Sequence, residues 1–244
     1  MLSTAPFSVT GLHVEKGFFA DRKSALQKWA DEIAALPPDT VWHYYEPDLL
    51  NSGNKILSRT EKFCGIHEEL TRLIESSKLQ DYLAQLFSEP AILFKEKINY
   101  KLMGNAGFEA HQDIQAGWRD YTGDFISVGI AIDPQLGNGG CLEFIQDSFG
   151  GRMVGDLWKP LLPDQVDFSR FIPVPCEPGD VLFFDGCIPH RSFPNRTVPS
   201  QRIFYLTFNR KSAGDFREKY YADKFKGFPP DYYRESGKKY EYKV

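Results

Sequence analysis

Along the first third of the chain, hydrophobic residues recur at helical spacing. Asp21 stands as a candidate N-cap before Ala25, Leu26, Trp29, Ile33 and Leu36, and Pro37-Pro38 ends the run. A second helix is predicted from near Thr60, with Phe63, Ile66, Leu70, Leu73 and Ile74 on one face. A shorter third helix carries Leu79, Tyr82, Leu83, Leu86 and Phe87 and stops before Pro90. Such stripes read as core contacts. From residue 91 the period becomes strand-like, over Ala91–Leu102, Phe125–Asp133, Cys141–Ile145, Asp180–Asp185 and Arg202–Asn209. Gly137-Asn138-Gly139-Gly140 and Pro178-Gly179-Asp180 are turn signals. Helices followed by strands predict an α+β arrangement in which helices buttress an antiparallel sheet. Residues 146–172 show no period and carry Gly150-Gly151, Trp158, Pro160 and Pro163, the pattern of a lid or binding loop. The last thirty residues, rich in Lys and Tyr, read as a surface-packed tail.

Composition narrows the class. A chain of 244 residues with 42% hydrophobic and 25% charged positions is an ordinary globular sequence, long enough to bury its own core. The formal charge of −4 and the lack of a basic stripe argue against nucleic acid as a partner. No apolar stretch is long enough to span a bilayer, and the first residues show neither a basic n-region nor an apolar h-region, so a cytoplasmic location is expected. Cys64, Cys141, Cys176 and Cys187 form no C-x-x-C pair and are expected to be reduced, buried thiols. Aromatics are abundant, with 20 Phe and 12 Tyr, which suits a β-rich core or an aromatic-walled pocket.

Two of the five histidines sit where chemistry is expected. His111 and Asp113 are two apart, which in a strand puts both on one face. His190 follows the strand ending at Asp185 after a short turn. Two imidazoles and one carboxylate on one side of a metal leave the other side open for a co-substrate and O2, the arrangement of non-haem Fe(II) oxygenases. A His paired with a nearby Asp is the commoner meaning of the spacing alone. Arg202, twelve residues after His190, opens an apolar strand, where it either clamps a ligand carboxylate or forms an Arg–Asp bridge at the strand end.

Taken in order, His111-Gln112-Asp113, Asn138-Gly139-Gly140-Cys141-Leu142-Glu143-Phe144, Pro178 through Asp185, and His190 with Ser192, Asn195 and Arg202 resemble the phytanoyl-CoA dioxygenase family over about Phe94 to Asn209. The resemblance implies a mainly β protein with flanking α-helices, built on a double-stranded β-helix, a cupin-type jelly roll. It implies one domain over 1–244, with helical support at about 20–90, the jelly-roll core at about 91–210 and a tail at 211–244. It further implies an Fe(II)- and 2-oxoglutarate-dependent oxygenase. His111, Asp113 and His190 would bind iron, Arg202 and Ser192 would hold the distal carboxylate of 2-oxoglutarate, and Asn99 would contact its end near the metal. Lys97, Asn99 and Lys101 share a strand face by parity, so a lysine is available to assist. One departure is visible: relatives often carry Pro-Gly-Ser-His after the Gly-Cys-Leu-Glu strand, where this chain reads Ile145-Gln146-Asp147-Ser148-Phe149.

The implied reaction is hydroxylation of an unactivated C–H bond of a small molecule, with succinate and CO2 as co-products. Desaturation, cyclisation and endoperoxide formation use the same ligands, whereas Asp113 argues against halogenation. Candidate substrate contacts are Phe108, Gln115, Trp118 and Tyr121, with Arg119, Arg152, Trp158 and Lys159 in neighbouring loops. The expected substrate is a free natural-product intermediate, an amino acid or osmolyte, or a phosphonate. A non-catalytic jelly-roll binding protein and a metal enzyme without co-substrate are the competing classes.

Overall fold

The computed structural model describes residues 2, 5–137, 140–197 and 200–240; Asn138 and Gly139 of the predicted turn lie outside these. Among the described residues, eleven strands form two antiparallel sheets. The larger holds β1 (Leu12–Glu15), β9 (Val181–Asp185), β6 (Phe125–Ala131), β11 (Ile203–Arg210), β4 (Ala91–Asn99), β3 (Lys55–Glu61) and β2 (Trp42–Pro47), in that order. The smaller holds β5 (Phe108–His111), β10 (His190–Ser192), β7 (Leu142–Phe144) and β8 (Ile172–Pro173). A one-turn helix, α1 (Phe7–Thr10), precedes β1, and α2 (Lys23–Ala34), α3 (Glu68–Ile74) and α4 (Ser77–Phe87) follow.

The central strands β6, β9 and β11 of the larger sheet are mostly apolar on both faces because both faces are covered. In β11, Phe204, Leu206 and Phe208 pack with Leu26 and Ile33 of α2 and with Leu79 and Leu83 of α4. The alternate residues Ile203 and Tyr205 point the other way and pack with Leu182 and Phe184 of β9 and Leu142 and Phe144 of β7. Each fully buried Leu or Phe here stabilises the fold by roughly 1.5–3 kcal/mol, so the helical layer fixes the sheet's curvature from outside. The inward face encloses the site.

The predicted strands recur with shifted ends. The one predicted over Ala91–Leu102 stops at Asn99, because Lys101 adopts a positive φ of 40°. The first third is not purely helical: β1, β2 and β3 lie in it, too short and too mixed in polarity to show a clean period. Thr60, expected to open a helix, lies inside β3, where it pairs with His43 and Ile98. The helix begins instead at Glu68, capped by the His67 side chain, which accepts from Leu70 N at 3.2 Å. Asp21 sits in a 3-10 turn and caps nothing. Among the described residues, no helix is long and apolar enough to cross a membrane.

The C-terminal segment is more than a surface tail. Helix α5 (Arg217–Gly227) buries Tyr220 and Tyr221 and docks through Glu96 of β4. The Glu96 carboxylate accepts from Arg217 Nη2 at 2.6 Å, from Tyr221 Oη at 3.2 Å and from Cys64 N at 2.8 Å. Nearby, Lys224 donates to both oxygens of buried Glu61, at 2.7 and 2.6 Å. Arg217→Ala strands the Glu96 carboxylate in the interior. It is expected to cost about 3–5 kcal/mol. The check is a lowered Tm together with faster amide exchange across Arg217–Gly227.

Candidate active site

His111, Asp113 and His190 converge between the sheets, with one ligand atom from each lying within 4.8 Å of the others. They do so differently from the predicted strand alternation. His111 is the last residue of β5 and pairs directly with His190 of β10. Asp113 opens the 3-10 turn that follows, so the chain's change of direction carries its carboxylate back beside the two rings. The ring centroids of His111 and His190 are 4.2 Å apart, and His190 Nε2 lies 3.9 Å from Asp113 Oδ1.

Each imidazole is held from behind. His111 Nδ1 lies 2.7 Å from Glu109 O, and His190 Nδ1 lies 3.1 Å from Ile188 O. A carbonyl only accepts, so both Nδ1 atoms carry the proton and both Nε2 lone pairs point inward. Phe144 and Phe184 pack on the His190 ring. Burial, reinforced by the neighbouring His190, pushes His111 down to about 3, and burial likewise lowers His190. Burial works against ionised Asp113, but His190, Lys95 and Lys97 outweigh it and hold the carboxyl below its ordinary value. Asp113 Oδ2 also accepts from Ser127 Oγ at 2.9 Å, which in turn meets Thr207 Oγ1 at 3.1 Å. Two neutral imidazoles and a carboxylate, oriented by second partners and paired into no tight mutual bond, fit a divalent metal.

The turn that bears Asp113 also anchors the long loop. Gln112 Oε1 accepts from Val154 N at 2.7 Å, and Gln112 Nε2 donates to Arg152 O and to Cys187 O. Gln115 Nε2 donates to Asp156 O and Lys159 O at 2.7 and 2.8 Å, while its Oε1 accepts from Gln112 N. Gln115, expected among the substrate contacts, is therefore a fully buried strut. Trp158 lies over Gly117: a Cβ there would stand 2.6 Å from the indole, and the φ of 73° suits only glycine comfortably.

The triad lines a cavity of about 490 Å³. Phe108, Trp118 and Tyr121 face it as expected, as do Asn99 and Trp158. Trp118 is 1% exposed, and among the described residues its Nε1 has no hydrogen-bond partner; the same holds for Asn99 Oδ1. Arg119 and Arg152 instead bond loop carbonyls, Gly151 O and Phe149 O respectively, and Lys159 pairs with Asp156. Ser192 is buried on the smaller sheet but does not line the cavity. Arg202 does not reach it either. Its Nε and Nη2 bind Asp133 at 2.8 and 3.1 Å, and its Nη1 binds Asp31. It precedes Phe204 on the helix-facing side of β11, so the strand-end Arg–Asp bridge is what forms. The wall also contains Lys219, Tyr220 and Lys224 of α5, Tyr205 of β11 and Lys95 of β4, none of which stood out in the sequence.

The family described as Phytanoyl-CoA dioxygenase (PhyH) matches residues 10–203. A methylphosphonate hydroxylase of Gimesia maris is 38% identical over 204 residues, covering 83% of this chain and 77% of that protein. A 2-aminoethylphosphonate dioxygenase of the uncultured bacterium HF130_AEPn_1 is 31% identical over 233 residues, covering 92% and 87%. Among solved structures, EctD from S. alaskensis with 2-oxoglutarate and 5-hydroxyectoine superposes with a TM-score of 0.72 at 21% identity, over 87% of this chain and 77% of that one.

Two substitutions test the centre. His111→Ala is expected to abolish metal uptake while leaving the circular dichroism spectrum intact. Ser127→Ala removes the donor behind Asp113 and is expected to weaken metal affinity roughly 10–100-fold, measured by competition with a chelator.

Proposed function

The chain belongs to the phytanoyl-CoA dioxygenase family, and from that membership we propose that it hydroxylates a small phosphonate. It is a 2-oxoglutarate-dependent non-haem iron dioxygenase that uses Fe(II), 2-oxoglutarate and O2. We assign iron to His111, Asp113 and His190, and we read the whole chain as one domain because both sheets and α5 supply side chains to one cavity. When bound, iron and 2-oxoglutarate together supply the O2 activation that places a hydroxyl on a C–H carbon, releasing succinate and CO2.

The protein's own residues orient and enclose. The Nδ1–H bonds fix the two rings, and Ser127 fixes Asp113. Phe108, Phe184 and Leu142 make the apolar wall around them, which keeps water from the reacting carbon. Asn99 offers its side-chain amide to the co-substrate.

One wall carries the substrate reading. Trp118 lines the cavity, its buried indole N–H has no hydrogen-bond partner among the described residues, and Lys95 Nζ lies 4.2 Å from its ring centroid. Lys219 and Lys224 enter from α5. Lys219 and Lys224 are paired with Asp223 and Glu61, and the lysines of this wall together with the indole N–H suit an anionic body better than a cationic one. The names of two relatives are consistent with that class.

The test is succinate release with methylphosphonate and 2-aminoethylphosphonate, each against the carboxylate of the same skeleton. Phosphonate-dependent succinate, matched by a hydroxylated product in the 31P spectrum, is the expected outcome. Trp118→Phe is expected to raise KM for the phosphonate at least tenfold, the loss of one hydrogen bond to a charged group. Turnover of an osmolyte such as ectoine, with none of a phosphonate, would overturn the substrate class.

A further inference from the structure

We propose that Lys97, seconded by the Tyr205 hydroxyl, grips the distal carboxylate of 2-oxoglutarate, the task that family resemblance gives to Arg202. The inference rests on the reading of this cavity as the co-substrate site. It does not depend on which substrate is oxidised.

The argument begins with what Arg202 cannot do. Asp133 takes its Nε and Nη2, and Asp31 takes its Nη1. The Arg202 backbone N–H donates to the same Asp133 carboxylate at 3.0 Å, which ties the residue down at two points. It lies on the helix-facing side of the strand and is absent from the cavity wall. Gln201, next to it, is fully buried, and its Oε1 accepts from Leu136 N. Neither side chain is available to a diacid in the cavity.

Lys97 is placed for that role. It projects from β4 into the cavity, directly across the ladder from Tyr205. Its Nζ lies 4.9 Å from the Tyr205 ring centroid and 5.6 Å from that of Phe108. Among the described residues no carboxylate forms an ion pair with it, although a buried ammonium without an anion is costly. Aromatic faces recover only part of that cost. Burial lowers the affinity of Lys97 for its proton, and Asp113 opposes the effect from within the cavity. The Tyr205 hydroxyl has no hydrogen-bond partner among the described residues, and burial keeps it protonated and able to donate.

The spacing is that of a five-carbon diacid. Asp113 is tied to Ser127, and Ser127 pairs across β11 with Thr207, whose partner on β4 is Lys95. Lys97 and Tyr205 form the next inward rung, about 6.7 Å along the strands. A 2-oxo acid held by its head at the metal rung reaches the next rung with its tail.

The test is binding, with no oxidation needed. Under anaerobic conditions with Fe(II), the affinities for 2-oxoglutarate and for 2-oxopentanoate are read from the visible charge-transfer band and by calorimetry. 2-Oxopentanoate has the same head and chain length but ends in a methyl group. The wild type is expected to prefer the diacid about 10–100-fold. Lys97→Met is expected to bring that ratio to near one while leaving 2-oxopentanoate binding unchanged, and Lys97→Arg to retain part of it. Arg202→Gln is expected to lower Tm yet keep the full preference. Loss of preference in Arg202→Gln but not in Lys97→Met would overturn the inference. So would a wild type that binds both acids equally, or a Lys97→Met variant that loses both acids alike. A wild type that binds neither acid would remove the co-substrate reading along with it, whereas failure of the phosphonate panel would leave these affinities untouched.

Discussion

The site depends on two hydrogen bonds that run backward along their own strands. Each metal-facing imidazole gives its Nδ1 proton to the carbonyl two residues upstream, Glu109 for His111 and Ile188 for His190. Without those carbonyls the tautomer would be free, and either ring could turn an N–H toward the Asp113 carboxylate and satisfy itself there. With them, two imidazole lone pairs and a carboxylate are held together at short range, an arrangement that the direct pairing of β5 with β10 keeps in place. The two sheets, the helices behind the larger one and the aromatic packing around His190 all serve to hold that arrangement.

Much of this was legible in order along the chain. The ordered motifs marked the jelly roll and the three residues that converge in the cavity, because each is a local pattern: a histidine two before an aspartate, a Pro-Gly turn into an apolar strand, a histidine after it. The larger-sheet strands β6, β9 and β11 were legible for a related reason, since they are mostly apolar on both faces and stand out from their surroundings. Strands β2, at the sheet edge, and β3, next to it, were not, because their mixed polar and apolar residues imitate no single period. Helix α5 reads as a tail in the sequence because its lysines and tyrosines look solvent-facing. Its dockings to Glu96 and Glu61 are pairings across more than a hundred residues, which no local reading contains.

Arg202 shows where motif reading meets geometry. Its distance from His190 is nearly what the resemblance calls for, but a strand alternates its faces, and the helix side is where it lies. In an apolar strand buried on both sides, hydrophobicity cannot tell the faces apart. The polar members can: Tyr205 and Thr207 mark the inward rung series, and Arg202 is out of step with them. The ion pair with Asp133 is the consequence, since a guanidinium pressed against a helical layer needs a carboxylate of the fold.

The glutamines at 112 and 115 have an effect that extends to the evolution of specificity. Because they fasten residues 152–159 to the turn bearing Asp113, the loop and the ligand turn behave as one rigid piece. A lineage that reshapes its pocket by exchanging this loop inherits the old fastening points, and an unmatched loop would pull the aspartate out of place. New specificities should then arise first on the opposite bank, along α5, where side chains can be exchanged without disturbing the ligands.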